Sequence, residues 1–222
     1  MARRSGRGVW VISCAMLVAC LAWVGQANAG PKDFNQLLRG DYAFSGEATC
    51  LVSSGGFNTN LTPVGPPVPF PHVESFSVQG VRTFKGDGTG SVVVRVVNIS
   101  HPFAVPSPVV VPYTPFFNRG GVGTADVEAT FNYEVAPDLT FTVETLTLTG
   151  SIDRGTRAGQ TFTVTNFPQF TGRISQDHRT LTVAHVLLDS EPAVETHTFS
   201  NGDVDKRICH RSRILLEQKG GQ

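Results

Sequence analysis

The sequence predicts an all-β protein, an antiparallel up-and-down β-barrel of about eight to ten strands, with a β-sandwich as the alternative. Apolar and polar residues alternate along most of the chain after residue 40, and turn signals recur at short intervals. A helical pattern is nearly absent, apart from one turn predicted at 34–38. These observations favour one β domain in a chain of 222 residues.

The N-terminal segment 1–29 has the pattern of a cleaved export signal. Three arginines between positions 3 and 7 precede an apolar run at 9–24, and Ala27-Asn28-Ala29 supplies the small residues that signal peptidase cleaves after. The run is shorter than the roughly 20 apolar residues of a membrane-spanning helix, so we expect no stable span after cleavage. The prediction is export, periplasmic or secreted. In the alternative, residues 17–20 (LVAC) are a lipobox and the protein is a lipoprotein anchored through Cys20.

Removal of this signal leaves one predicted domain at 41–217, preceded by a linker at 30–40 and followed by a tail at 218–222. Three of the 18 basic residues leave with the signal, so 15 remain against 18 acidic residues and the net charge is near −3. This charge argues against nucleic acid as a partner.

The first predicted strand is 42–52, where apolar and polar residues alternate with a period of two. A hairpin follows, formed by strands at 74–84 and 91–99. The intervening KGDGTG at 85–90 has glycines that can adopt positive φ in a turn.

The second hairpin is predicted at 125–135 and 139–150, with a turn at Pro137-Asp138. Further turns are predicted at Asp177-His178 and at Asn201-Gly202. Three shorter strands are predicted at 160–167, 170–176 and 180–188, and a closing hairpin at 193–199 and 206–216.

Cys50 and Cys209 are the two cysteines that remain after signal cleavage. Two cysteines in an exported chain usually form a disulfide. Cys50 lies on the first predicted strand and Cys209 on the last, and these strands become neighbours when a meander closes. We therefore predict a Cys50–Cys209 bond across the closing seam.

Two loops contain ten of the fourteen prolines, five within 61–76 and five within 101–117. In an up-and-down meander both loops emerge at the same end of the barrel. Proline fixes φ, so the loops can hold apolar side chains in place as a lid over a ligand. In the alternative interpretation the same side chains only fill the open end as core. The predicted lid residues are Phe70, Phe103, Tyr113, Phe116 and Phe117.

A second candidate site is the set Glu195, His197 and His210, which hairpin pairing would bring close together. Imidazole and carboxylate groups can bind zinc or act as an acid–base pair. Strand pairing also creates such neighbours by accident, so we favour a structural interpretation and predict no metal and no cofactor. The basic stretch 206–213 is interpreted as a solvated strand face, with an anionic ligand headgroup as the alternative.

The predicted export, the up-and-down strand order and the long loops at one end resemble the calycin group, which includes lipocalins and the allene oxide cyclase type of barrel. The stretches GVRTFKGDGTGSVVV at 80–94 and FTGRISQDHRTLTV at 170–183 resemble uncharacterised exported bacterial proteins of this shape. The resemblance implies a barrel that binds a small apolar molecule or isomerises one. The Gly-x-Trp signature of lipocalins is missing, so no functional residue carries over.

Three functions remain open from the sequence. The leading hypothesis is a non-enzymatic barrel that binds a small, mostly apolar ligand beneath the two proline-rich loops. The alternatives are a structural or surface module that binds a protein partner, and a calycin-type isomerase or cyclase that would need a polar cluster inside the barrel. Motifs of common hydrolases, metalloproteases and nucleotide-binding proteins are absent from the sequence, which favours a non-enzymatic function.

Overall fold

The computed structural model describes residues 33–64, 71–101, 121–184 and 194–219. They form one antiparallel sheet of ten strands, preceded by a short 3₁₀ helix at Phe34–Leu37. The strands are β1 (Arg39–Ser53), β2 (His72–Lys85), β3 (Thr89–His101), β4 (Gly121–Val135), β5 (Thr140–Arg154), β6 (Thr161–Thr165), β7 (Phe170–Ile174), β8 (Thr180–Ala184), β9 (Glu195–Phe199) and β10 (Val204–Glu217).

The sheet closes into a ring of eight positions because β1 pairs with both β2 and β10. Two of these positions hold interrupted strands. β7 pairs with the first part of β5, and β6 pairs with its last part. On the other side, β9 pairs with the first part of β10, and β8 pairs with its last part. The up-and-down order and the strand number confirm the predicted barrel-like all-β fold.

The predicted disulfide is confirmed, and it lies on the seam that closes the ring. Cys50 on β1 and Cys209 on β10 are directly opposite in the register, with Cα atoms 4.0 Å apart. Both residues are buried, so the bond lies inside the barrel.

Aromatic side chains fill the lower half of the barrel, the end that holds the short turns. Phe84 is the centre of this group, with edge-to-face contacts to Tyr42, Phe131, Tyr133 and Phe141 at centroid distances of 5.0–6.4 Å. Such contacts add to the hydrophobic gain from burying large rings. The lower half is therefore solid core.

The 3₁₀ helix closes this lower end. Tyr133 donates a hydrogen bond from its hydroxyl to the carbonyl of Leu38 at 2.8 Å, and the Asn35 side chain accepts one from the backbone of Val135 at 2.8 Å. Leu38 is fully buried in the core. Residues 34–40 thus belong to the compact unit that begins at Phe34.

Inward-facing glycines make room for rings on the neighbouring strands. Gly90 lies opposite Phe131 and Gly172 lies opposite Phe141 in the register. A Cβ atom added at either glycine would overlap the facing ring. At these two positions a large ring packs across the lower end because the opposite residue has no side chain.

The long connections between β1 and β2 and between β3 and β4 begin and end at the opposite, upper end of the barrel. Val52 pairs with His72, Val73 with His101, and Ser100 with Gly121, so the described ends of both proline-rich loops meet at one rim. This register confirms the predicted parity of the loops.

Replacing both cysteines by alanine is expected to lower the free energy of unfolding by at least about 3 kcal/mol, because the bond closes a long loop in the unfolded chain. Urea unfolding of the double variant and of the disulfide-bonded wild type measures the loss, and the reduced wild type controls for the two substitutions. A loss below about 1 kcal/mol would contradict the stabilising role.

Gly90→Ala is expected to destabilise the barrel by about 1–3 kcal/mol, because the new methyl group displaces the Phe131 ring. Gly121→Ala is the matched control, since none of the described residues lies within 4 Å of a Cβ atom there. Thermal unfolding followed by circular dichroism compares the two, and equal midpoints would refute the packing argument.

Candidate functional site

The upper half of the barrel contains a cavity of about 780 Å³. Its wall on β3, β4 and β5 is mainly apolar. The side chains on this wall include Val92, Val94, Val96, Val127, Leu148 and Ile152. The interior is therefore divided into an aromatic lower core and an unfilled upper chamber.

The opposite wall, on β2, β9 and β10, is charged. Inward positions alternate along a strand, and on β10 they include Asp205, Arg207, Arg211 and Arg213. Arg82 on β2 faces the same cavity. The chamber thus has one apolar wall and one wall rich in guanidinium groups.

One ion-pair network lies near the upper rim. Arg207 donates to Glu74 at 2.7 Å and to Asp205 at 3.3 Å, and Arg157 donates to Asp205 at 2.6 Å. Ser100 adds a hydrogen bond to Glu74 at 3.2 Å. The buried charges of this network are therefore paired, as burial of ions requires.

A second network surrounds Glu195, which is fully buried. Arg211 donates a short hydrogen bond to one carboxylate oxygen, and Nε2 of His197 lies 3.4 Å from the other. The His197 ring stacks on Phe162 with a centroid distance of 5.8 Å. Both partners of Glu195 line the cavity.

Burial and ion pairing shift the titration of these groups. Burial acts to raise the pKa of Glu74, but Arg207 and His72 outweigh it and the pKa falls to about 2. Glu195 is likewise held at a pKa of about 2, where Arg211 and His197 outweigh burial. Burial, together with the charge of Arg207, lowers the pKa of His197 to about 4. At neutral pH the carboxylates are ionised and His197 is neutral.

The structure brings together two of the three candidate metal ligands. Glu195 and His197 are neighbours, but His210 lies on the outer face and is exposed. The expectation that His210 joins them is wrong, because inward positions on β10 are odd-numbered. Arg211 takes that place beside Glu195. Among the described residues, one set with metal-ligand spacing includes Glu195, but its other members are Cys50 and Cys209, whose sulfurs are bonded to each other.

The basic stretch 206–213 is divided between the two faces. Lys206 and His210 are exposed, as a solvated face predicts, whereas Arg207 and Arg211 are buried inside the barrel. Cys209 could have predicted the inward position of these arginines. A cysteine paired across the seam points into the barrel, and residues two positions away on either side of it lie on the same face of the strand.

The predicted lid residues lie outside the described residues. They are Phe70, Phe103, Tyr113, Phe116 and Phe117. The lid therefore stays a prediction, and so does an interface formed by the same loops.

Comparisons with family models, with curated proteins and with solved structures find no match to this chain. Within the part of the chain that the structure describes, no helix is long and apolar enough to cross a membrane. The candidate site therefore has to be interpreted from its own residues.

The stability of the fold is expected to decrease as the pH falls from 6.5 towards 4. The unfolded chain takes up a proton at His197 near pH 6.5, whereas the folded protein resists it until about pH 4. Titration of His197 changes the free energy of unfolding by at most about 1.4 kcal/mol per pH unit. Below about pH 4.5 the loss continues, because Glu74 and Glu195 must then be protonated on unfolding.

The variant His197→Gln tests this assignment, since it should flatten the pH dependence between 6.5 and 4 and keep the decline at lower pH. Urea unfolding across this range measures both profiles. Parallel profiles for the variant and the wild type would show that His197 is not the responsible group.

Proposed function

We propose that this protein is an exported, non-enzymatic β-barrel that binds a small, mostly apolar molecule in its upper chamber. The observation that carries the proposal is the chamber itself. Small barrels commonly fill their interior with side chains, but the described residues of this one fill only its lower half. Its volume of about 780 Å³ lies within the usual range of small-molecule sites, roughly 300–1,000 Å³.

Strand geometry also supports binding at this end. The apolar wall faces inward on β3, β4 and β5, where a ligand can remove apolar surface from water. The rigid lower core fixes the floor, and the disulfide holds the seam between β1 and β10. A preformed chamber of this kind loses little conformational entropy when a ligand binds.

Export is part of the proposal. The Cys50–Cys209 bond is compatible with an oxidising compartment, where disulfides persist. The signal-like segment 1–29 supplies the route, either by cleavage after Ala29 or through a lipid on Cys20.

A second candidate function is an isomerase or cyclase, which the buried pair Glu195 and His197 favours. Their titration argues against it as the leading function. An efficient acid or base has a pKa near the working pH, whereas these groups have pKa values of about 2 and about 4. Glu195 also accepts a hydrogen bond from Arg211. Its role as the counter-ion of Arg211 therefore explains why Glu195 is buried there.

Binding of the neutral fluorescent dye N-phenylnaphthylamine tests the proposal. Val96 and Val97 are adjacent on β3, but Val96 faces the chamber and Val97 faces solvent. Val96→Trp should weaken dye binding at least about tenfold, a cost of about 1.4 kcal/mol, because the indole occupies the chamber. Val97→Trp should leave it unchanged. Equal effects of the two variants, or no dye binding by the wild type, would refute the chamber as a binding site.

A further inference from the structure

Besides the exposed Arg154, five guanidinium groups line the chamber, but the described residues supply only three buried carboxylates to pair with them. Glu74 and Asp205 accept from Arg207, Asp205 also accepts from Arg157, and Glu195 accepts from Arg211. The cations left over are Arg82 and Arg213. Their surroundings therefore decide what the chamber can bind.

Arg82 is 3% exposed, and its Nε and Nη1 atoms are buried without a hydrogen-bond partner within the described ranges. The Nε atom of Arg213 is also buried without a hydrogen-bond partner among the described residues. Both guanidinium groups contact the ring of Phe44, with Cζ atoms 5.9 Å and 5.6 Å from its centroid. Two cations with no carboxylate of the described residues within ion-pair distance thus lie against one aromatic ring.

Aromatic contacts offset only part of the desolvation of these cations. Arg82 also lies 4.9 Å from the Phe131 centroid, and Arg213 lies 5.2 Å from that of Phe170. A cation–π contact contributes less than the cost of burying an unpaired charge. Burial lowers the pKa of Arg82 to about 10 and that of Arg213 to about 9, so both remain charged at neutral pH.

We propose that the ligand of the chamber is an amphipathic carboxylate, whose carboxylate group is bound by Arg82 and Arg213 and whose apolar body lies along the β3–β5 wall. The inference rests on the proposed binding function and specifies its ligand class. Guanidinium groups suit a carboxylate because their planar donors match its two oxygens.

The shape of the chamber agrees with this orientation. Arg82 lies next to the aromatic core, at the floor, whereas Glu74 lies on the same strand close to the rim. The eight residue steps from Glu74 to Arg82 correspond to about 26 Å along β2. An elongated ligand can therefore place its charged group at the floor and extend its apolar body towards the rim. The body would then lie along the wall that includes Val94 and Leu148.

The test is a calorimetric titration with decanoate, decanol and decylamine, which share one apolar body and differ in the charge of the head. Decanoate is expected to bind at least about tenfold more tightly than decanol, and decylamine the most weakly, since a charged hydrogen bond is worth roughly 1.5–3 kcal/mol. In the double variant Arg82→Met/Arg213→Met, the affinity for decanoate should fall to that for decanol, which itself should change less than about threefold.

Equal affinities of the wild type for decanoate and decanol would overturn the carboxylate inference while leaving the chamber as a binding site. Retention of the preference by the double variant would overturn the assignment to these two residues. If none of the three compounds binds and the dye also fails to bind, the proposed function itself fails.

Thermal unfolding of the ligand-free protein gives an independent readout. Arg82→Met removes an unpaired buried charge, so the midpoint should rise or stay unchanged. Arg211→Met is the matched control at another buried, chamber-lining arginine, and its midpoint should fall because Glu195 loses its partner. A large fall for Arg82→Met would show that Arg82 is a structural cation and would overturn the inference.

Discussion

The antiparallel pairing of β1 with β10 is the contact on which the rest of this structure depends. It closes the sheet, and the opposite placement of Cys50 and Cys209 fixes its register covalently. Because side chains alternate between the two faces of a strand, this register also decides which residues of β10 point inward. A shift by one residue would turn Arg211 and Arg213 to solvent and bring His210 and Ile214 into the barrel. The charged wall of the chamber is therefore a consequence of the way the barrel closes.

The two halves of the barrel interior contain different kinds of side chain. In the lower half, rings fill the space and glycines on opposite strands accommodate them, so that little besides apolar surface is buried. In the upper half, arginines occupy inward positions that apolar residues would stabilise better. Such positions are costly unless a partner is present, and the buried carboxylates are matched to only some of the cations. The excess of positive charge at the floor, beside Phe44, is the feature that a purely structural account of the barrel does not explain.

Much of the fold follows from the sequence. The period-two pattern in 42–52 and 125–135, and the turn glycines at 86 and 202, are local signals that survive in the barrel with only small changes of boundary. The disulfide was also predictable, since Cys50 and Cys209 are the only cysteines outside the predicted signal. The site was harder, because charged residues normally face water and the basic stretch 206–213 invited that interpretation. The parity of Cys209 would have placed Arg207, Arg211 and Arg213 inside, and the parity of Phe84 would have placed Arg82 there too.

Native mass spectrometry of the mature protein, purified from its own host compartment, tests the central claim most directly. The account predicts a noncovalent adduct that denaturation releases, and solvent extraction should identify it as an amphipathic carboxylic acid. A wild-type protein with the bare mass of the disulfide-bonded chain, or one that releases a neutral or cationic molecule, would contradict the account.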